Sequence, residues 1–136
     1  MEFSGKKVTV VGTGISGIGA VGLLNAVGAE VVLYDGNEKL KIEDIEKKLG
    51  TYKAEIVLGE LTKELTDSSD LLVISPGVPI DSPVVKAFEA AGVPVWGEVE
   101  LAYAFDKGKV LAITGTNGKT TTTALVGQIV GAYHKD

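Results

Sequence analysis

Short apolar runs alternate with longer mixed stretches along most of this chain. Five runs have the continuous apolar character of strands that are buried on both faces of a parallel sheet, and they lie at residues 7–12, 30–34, 54–58, 70–75 and 94–96. Helices are predicted between them from apolar spacing and from start and stop residues, at residues 18–27, 39–49, 61–65, 83–91 and 98–105. This alternation predicts an α/β fold with a Rossmann-like, doubly wound parallel sheet.

A glycine-containing loop follows a sixth apolar run at residues 110–114, which is predicted to be a buried strand, and precedes a predicted helix at 122–132. Strand, glycine turn, Lys-Thr and helix is the layout of a phosphate-binding P-loop. Lys119 can reach terminal phosphates, and the Thr120 hydroxyl can ligate Mg²⁺. Ile113 stands where the common pattern has its first glycine, so the loop is a shortened variant. A plain glycine turn with a surface lysine is the alternative.

A second glycine motif lies between the first predicted strand and its helix. It is Gly12-x-Gly14-x-x-Gly17, and Asp35 ends the next strand 18 residues after Gly17. This context indicates a nucleotide phosphate at the helix N-terminus, with Asp35 on a ribose or base. A tight turn needed only for packing is the alternative. The motif does not identify the nucleotide, so an NAD-binding oxidoreductase module and a non-catalytic nucleotide-binding module both remain open.

Three further features carry less chemistry. Ser75-Pro76-Gly77 ends a predicted strand, where open α/β sheets bind ligands, although a plain turn explains it equally well. Glu98 and Glu100 are two residues apart and do not share a helix face, so paired acid–base catalysis is not expected. His134, the single histidine, is expected to be a solvated tail residue.

Composition excludes several classes of function. The formal net charge of −5 argues against sequence-independent nucleic-acid binding, which needs a basic face. No cysteine is available for disulfides or thiolate chemistry. No apolar run approaches the ~18 residues that a membrane span needs, and no secretory signal precedes the first strand. A soluble cytoplasmic protein without a nucleic-acid or membrane partner is therefore expected.

With both glycine loops in view, the chain resembles the Mur ligase family, specifically the N-terminal part of its D-glutamate-adding members. The resemblance covers essentially the whole chain but only about the first third of such an enzyme. Its phosphate loop is similar to one shared by Mur ligases and folylpolyglutamate synthetases. The residues that carry the resemblance are 10–17, Tyr34-Asp35, Ser75-Pro76-Gly77-Val78, 97–101 and 113–121.

The resemblance implies a role for each site residue. Residues implied to contact the uridine diphosphate part of the substrate are Gly14, Ile15, Ser16, Asp35, Gly36, Asn37 and Gly77. Residues implied to bind ATP are Gly115, Thr116, Asn117, Gly118, Lys119, Thr120 and Thr121. Lys119 is the implied catalytic residue and Thr120 the implied Mg²⁺ ligand. Asn37 stands where other members often carry a basic residue, and Asn117 where the L-alanine-adding members more often carry histidine.

The implied activity is ATP-dependent ligation in peptidoglycan precursor synthesis, and hence in cell wall biogenesis, cell shape and cell division. ATP phosphorylates the terminal carboxylate of UDP-N-acetylmuramoyl-L-alanine, and the amine of D-glutamate displaces the phosphate. Residues 1–107 are expected to form the domain that binds the uridine precursor, and 108–136 the start of an incomplete ATP-binding domain. The full-length enzyme is expected to be a monomer. This fragment is expected to be inactive alone and to bury its 110–114 strand on the first domain or by self-association.

Overall fold

The computed structural model describes residues 3–133, and His134 lies outside them. Within that range the backbone forms five strands and six helices. The strands are β1 (Lys7–Val11), β2 (Glu30–Asp35), β3 (Glu55–Leu58), β4 (Leu71–Ile74) and β5 (Val95–Gly97). The helices are α1 (Ile15–Ala26), α2 (Ile42–Leu49), α3 (Lys63–Ser68), α4 (Pro83–Ala90), α5 (Glu98–Phe105) and α6 (Lys119–Tyr133).

The strands form one sheet in the order β3-β2-β1-β4-β5, and every pairing is parallel. This confirms the predicted α/β fold with a parallel sheet. The chain moves outward from β1 through β2 to β3, and then returns to the other side of β1 for β4 and β5. The direction of winding therefore changes at β1, and in open α/β sheets ligands bind at the carboxyl ends of the strands beside such a point.

Both faces of the sheet are covered, because side chains along each strand alternate between two core layers. From β1, Val8 and Val10 pack in the layer that includes Val21 and Leu24 of α1. Val11 points to the other layer, which contains the buried residues of α3 and α4, including Phe88. Helices on both sides explain why the strands read as continuous apolar runs rather than as alternating ones.

The chain divides into two compact units, Met1–Asp106 and Lys107–Asp136. In the second unit the predicted helix is present as α6, which begins three residues earlier than expected, directly after Gly118. The predicted strand at 110–114 is wrong, because these residues have no strand conformation and Val110 and Leu111 are 58% and 68% exposed. A strand is stabilised by hydrogen bonds to a neighbour, and residues 107–133 contain no other strand to supply them.

Two expectations about this second unit are not tested by its structure. They are the assignment of residues 108–136 to an ATP-binding domain and self-association through 110–114. None of the helices within residues 3–133 combines the length and the apolar character needed to cross a membrane.

Candidate nucleotide-binding site

The loop between β1 and α1 is shaped by two of its three motif glycines. Gly12 has φ +106°, and a Cβ there would lie 3.0 Å from the Ser75 hydroxyl oxygen. A Cβ on Gly17 would collide with the carbonyl oxygen of Gly12. A Cβ on Gly14 would meet no atom within 4 Å among the described residues. The first and third glycines are therefore required by packing, whereas the space beside Gly14 is open for the close approach of a ligand.

The N-terminus of α1 opens onto the same space. Gly14 is the N-cap residue, and within the described chain no side chain caps this helix and no acidic residue occupies its first turn. The first N–H groups of a helix lack intrahelical partners and carry a partial positive charge. Ile15 is 95% exposed and Ser16 is partly exposed, so these donors lie at the surface. The arrangement is suited to a phosphate or another anion.

Asp35, at the end of β2, is tied to the glycine loop. Its Oδ2 accepts hydrogen bonds from the Thr13 N–H at 3.3 Å and from the Thr13 hydroxyl at 3.0 Å. Its Oδ1 accepts from the Asn37 N–H at 3.0 Å, and the Asn37 side-chain oxygen in turn accepts from the Lys39 N–H at 3.1 Å. The carboxylate thus connects the β1–α1 loop to the turn after β2.

Thr13 is a site residue that the sequence analysis missed. It occupies an x position of the glycine motif, where no particular residue type is required. The pairing of Val11 with Tyr34 brings the ends of β1 and β2 side by side, and this places Thr13 next to Asp35. A hydroxyl residue directly after the first glycine, together with an aspartate at the end of the next strand, is the pattern that could have indicated the contact.

Tyr34 links the end of β2 to the residue that follows β3. Its ring is buried, and its hydroxyl donates a hydrogen bond to the Gly59 carbonyl at 2.7 Å. The Gly59 N–H donates to the Asp35 carbonyl at 2.9 Å. Burial, and secondly the neighbouring Asp35 carboxylate, raise the pKa of Tyr34 above its ordinary value of 10.0. The hydroxyl is therefore protonated at neutral pH and remains a donor in this contact.

The Ser75-Pro76-Gly77 turn follows β4 on the other side of β1. The Ser75 N–H donates to the Val11 carbonyl at 3.3 Å, and the Val78 N–H closes the turn on the Ser75 carbonyl at 2.9 Å. The Ser75 hydroxyl oxygen is buried against the glycine loop and has no hydrogen-bond partner in the described part of the chain. Gly77 is exposed, with open space where a Cβ would be.

The structure therefore gathers one group of the predicted site residues at a single edge of the sheet. They follow the adjacent strands β2, β1 and β4 at their carboxyl ends. The members of this group are Gly14, Ile15, Ser16, Asp35, Gly36, Asn37 and Gly77. Glu98 and Glu100 lie in the first turn of α5, where negative charge favours a helix N-terminus. Glu98 lines a cavity together with Ser16.

The predicted phosphate loop lies in the second unit and precedes α6. Gly115 and Gly118 have φ of +153° and +76°, which favour glycine. The Lys119 ammonium donates to the Gly115 carbonyl at 2.6 Å, and so closes the loop on itself. Thr120 and Thr121 are exposed at the start of α6. Residues 3–133 contain no group of three His, Cys, Asp or Glu side chains that could hold a metal ion.

A five-stranded parallel sheet with a glycine loop beside its central strand defines a Rossmann-like α/β domain. The profile of the family described as "Mur ligase MurD-like, N-terminal domain" matches residues 6–97, and the chain belongs to this family. This confirms the family expected from the glycine loops and the Ser75 turn.

Curated relatives carry a consistent name. The chain is 66% identical over 135 residues to UDP-N-acetylmuramoylalanine–D-glutamate ligase of Lachnospira eligens, and this covers 99% of the chain and 30% of that protein. It is 56% identical over 136 residues to the protein of the same name from Lachnoclostridium phytofermentans, with coverage of 99% and 30%. The chain thus spans about 30% of the length of the curated relatives that it matches.

Two solved structures have similar folds. A pseudomurein peptide ligase type C from Methanothermus fervidus matches with a TM-score of 0.59 and 26% identity, covering 95% of this chain and 26% of that one. Shikimate dehydrogenase from Aquifex aeolicus matches with a TM-score of 0.53 and 16% identity, covering 74% and 45%. At that identity the second match indicates a shared fold alone.

Proposed function

We propose that this chain supplies the uridine-nucleotide domain and the ATP loop of a cytoplasmic ligase that adds D-glutamate to UDP-N-acetylmuramoyl-L-alanine in peptidoglycan precursor synthesis. Membership of the Mur ligase family supports the proposal, as do relatives named for this reaction at up to 66% identity. We further propose that the complete enzyme acts as a monomer.

The observation that carries the proposal is the convergence of three loops at the carboxyl ends of β2, β1 and β4. The diphosphate would lie at the N-terminus of α1, against the N–H groups of Ile15 and Ser16 and the open side of Gly14. The uridine would extend along Asp35, Gly36 and Asn37, and the Gly77 backbone would border it.

The ATP loop, residues 115–121, has hydrogen-bond donors and a positive charge that suit a polyphosphate. It offers backbone N–H groups at a helix N-terminus, the Lys119 ammonium and the hydroxyls of Thr120 and Thr121. In our proposal, Lys119 leaves the Gly115 carbonyl and neutralises charge on the moving phosphoryl group. Thr120 would be one ligand of a Mg²⁺ ion that balances the charge of the phosphates.

The chemistry follows from the bonds that change. A carboxylate oxygen of the alanyl end forms a bond to the terminal phosphorus of ATP, and ADP leaves with the electron pair of the phosphorus–oxygen bond that breaks. The D-glutamate amine then attacks the acyl carbon, phosphate leaves, and one proton is released as the amide forms. Within these 136 residues we propose one catalytic residue, Lys119, and one Mg²⁺ ligand, Thr120. We therefore expect the 136-residue chain to bind the nucleotide without forming amide.

Calorimetric titration with UDP-N-acetylmuramoyl-L-alanine, and with NAD in parallel, tests the proposal. We expect binding of the uridine compound alone, with loss of binding in Asp35→Ala. Asp70→Ala is the matched control, because Asp70 lies at the amino end of β4, beside Lys6 and Lys7. Binding of NAD alone would contradict the ligase assignment and favour an oxidoreductase module.

A further inference from the structure

The Asp35 carboxylate has little remaining capacity to accept hydrogen bonds. An ionised carboxylate offers about four lone-pair positions, two on each oxygen. The Thr13 N–H and hydroxyl occupy both positions on Oδ2, and the Asn37 N–H occupies one on Oδ1. Counting contacts among the described residues, one acceptor position is left, and it belongs to Oδ1.

Thr13 is held firmly in this contact. It is 7% exposed, and the N–H of the preceding Gly12 donates to the Tyr34 carbonyl at 2.9 Å. The ends of β1 and β2 are aligned by the pairing of Val11 with Tyr34. The backbone therefore places Thr13 beside Oδ2, and a ligand would have to break a part-buried hydrogen bond to reach that oxygen.

We propose that Thr13 is a positioning and specificity residue, which holds Oδ2 so that Asp35 accepts one hydrogen bond from a nucleotide. This inference rests on the proposed uridine site. A uracil base joined to its sugar has one ring N–H, which suits a single acceptor position. The neighbouring 2′- and 3′-hydroxyls of a dinucleotide ribose suit a carboxylate with one free position on each oxygen, and Thr13 removes that option.

Three variants of Thr13 separate the hydrogen bond from the shape of the side chain. Thr13→Ser keeps the hydroxyl. Thr13→Val removes the donor but leaves a methyl group against Oδ2, so that the oxygen stays blocked. Thr13→Ala removes the hydroxyl and the methyl group and opens one position on Oδ2 to a ligand, while the backbone N–H of residue 13 keeps the other.

The experiment is an NMR titration of the ¹⁵N-labelled chain and its variants with UDP, N3-methyl-UDP and ADP-ribose, which detects weak binding. The wild type is expected to prefer UDP and to lose about tenfold in affinity when the base is methylated, as expected for one hydrogen bond to a charged group. Thr13→Ser should stay within about twofold of the wild type. Thr13→Ala should shift the ratio of the two dissociation constants about tenfold toward ADP-ribose.

Thr13→Val and thermal unfolding provide the controls. Thr13→Val should weaken UDP binding without improving ADP-ribose binding, because Oδ2 remains covered. A purely structural role for Thr13 would change the unfolding temperature of the variants but not the ratio of affinities.

The possible failures are distinguishable. If the wild type binds UDP but Thr13→Ala keeps the wild-type ratio, or if N3-methylation has no effect, the inference is overturned and the uridine site stands. If the wild type does not bind UDP, or prefers ADP-ribose, the proposed uridine site is overturned and this inference with it.

Discussion

The two units of the chain show how far an apolar pattern determines structure. In residues 3–106, apolar runs are buried as strands and helices, and Val8, Val10 and Leu72 are fully buried. In residues 107–133, the apolar run 110–114 forms no strand, and Leu125 and Ile129 of α6 are 55% and 59% exposed. A helix satisfies its own backbone and can form without neighbours, whereas a strand depends on a partner for its hydrogen bonds.

Gly17→Ala should have the largest effect on stability, and this effect should be confined to the first unit. The added methyl group would collide with the Gly12 carbonyl, so the loop and α1 would have to separate. We expect a loss of more than about 5 kcal/mol, enough to unfold a marginally stable domain. Circular dichroism during urea denaturation measures this loss.

Two glycine controls sharpen the same test. Gly14→Ala has open space and an ordinary φ of −77°, and should cost less than about 1 kcal/mol. Gly127→Ala, inside α6, should increase the helicity of the second unit, because alanine is favoured over glycine there by about 1 kcal/mol. A cooperative unfolding transition of Gly17→Ala at the wild-type urea concentration would contradict the packing described for the loop.

The elements predicted from the sequence are those whose determinants are local. The helix predicted at residues 83–91 is present as α4, and the Ser82 hydroxyl caps it by accepting a hydrogen bond from the Val85 N–H. The Thr13–Asp35 contact was missed because it depends on how β1 and β2 align, which the sequence motif does not express. The strand predicted at 110–114 was wrong because an apolar run forms a buried strand only where a neighbouring strand can pair with it.

The placement of the candidate site residues was predictable for a similar reason, but only in part. The glycine spacing and Asp35 indicated one edge of the sheet, and the structure places the candidate residues together there, since the carboxyl ends of parallel strands meet at that edge. The unpartnered Ser75 hydroxyl and the closed Lys119–Gly115 contact depend on side-chain conformations, which no spacing rule describes.

Phe88→Ala and Leu125→Ala compare the cores of the two units directly. Phe88 of α4 is fully buried, so its truncation leaves a cavity and should cost about 3–5 kcal/mol. Leu125 is 55% exposed, and its truncation should change stability by less than about 0.5 kcal/mol. Urea denaturation followed by tryptophan fluorescence reports on the first unit, and circular dichroism on both.

An equal and large loss from both variants would show that α6 is buried in solution. The predicted self-association through residues 110–114 would then be tested by measuring the molecular mass of the protein in solution. Ile129→Ala serves as a second exposed variant on the same helix.

The smallest effect concerns pH and Asp70, at the edge of the sheet opposite the candidate nucleotide-binding site. Its carboxylate accepts from the Lys7 N–H at 2.9 Å and from the Lys6 ammonium at 3.1 Å. The hydrogen bond from the Lys7 backbone, followed by that from Lys6, lowers the pKa of Asp70 below its ordinary value of 3.8. A lowered pKa stabilises the folded state above pH 3.8, and this contribution disappears as the pH falls through the folded-state value.

Asp70→Asn removes the titrating group while keeping a side-chain acceptor for the Lys7 N–H. We expect the variant to be slightly less stable than the wild type at neutral pH, because the site is exposed and the ion pair is screened. The difference in stability between the variant and the wild type should shrink only below pH 3.8. Unfolding temperatures measured between pH 7 and pH 2.5 test this. Lys6→Met should leave most of this pH dependence in place, because the Lys7 backbone is the larger cause. A stability difference that vanishes near pH 6 would mean that a group other than Asp70 is responsible for the pH dependence.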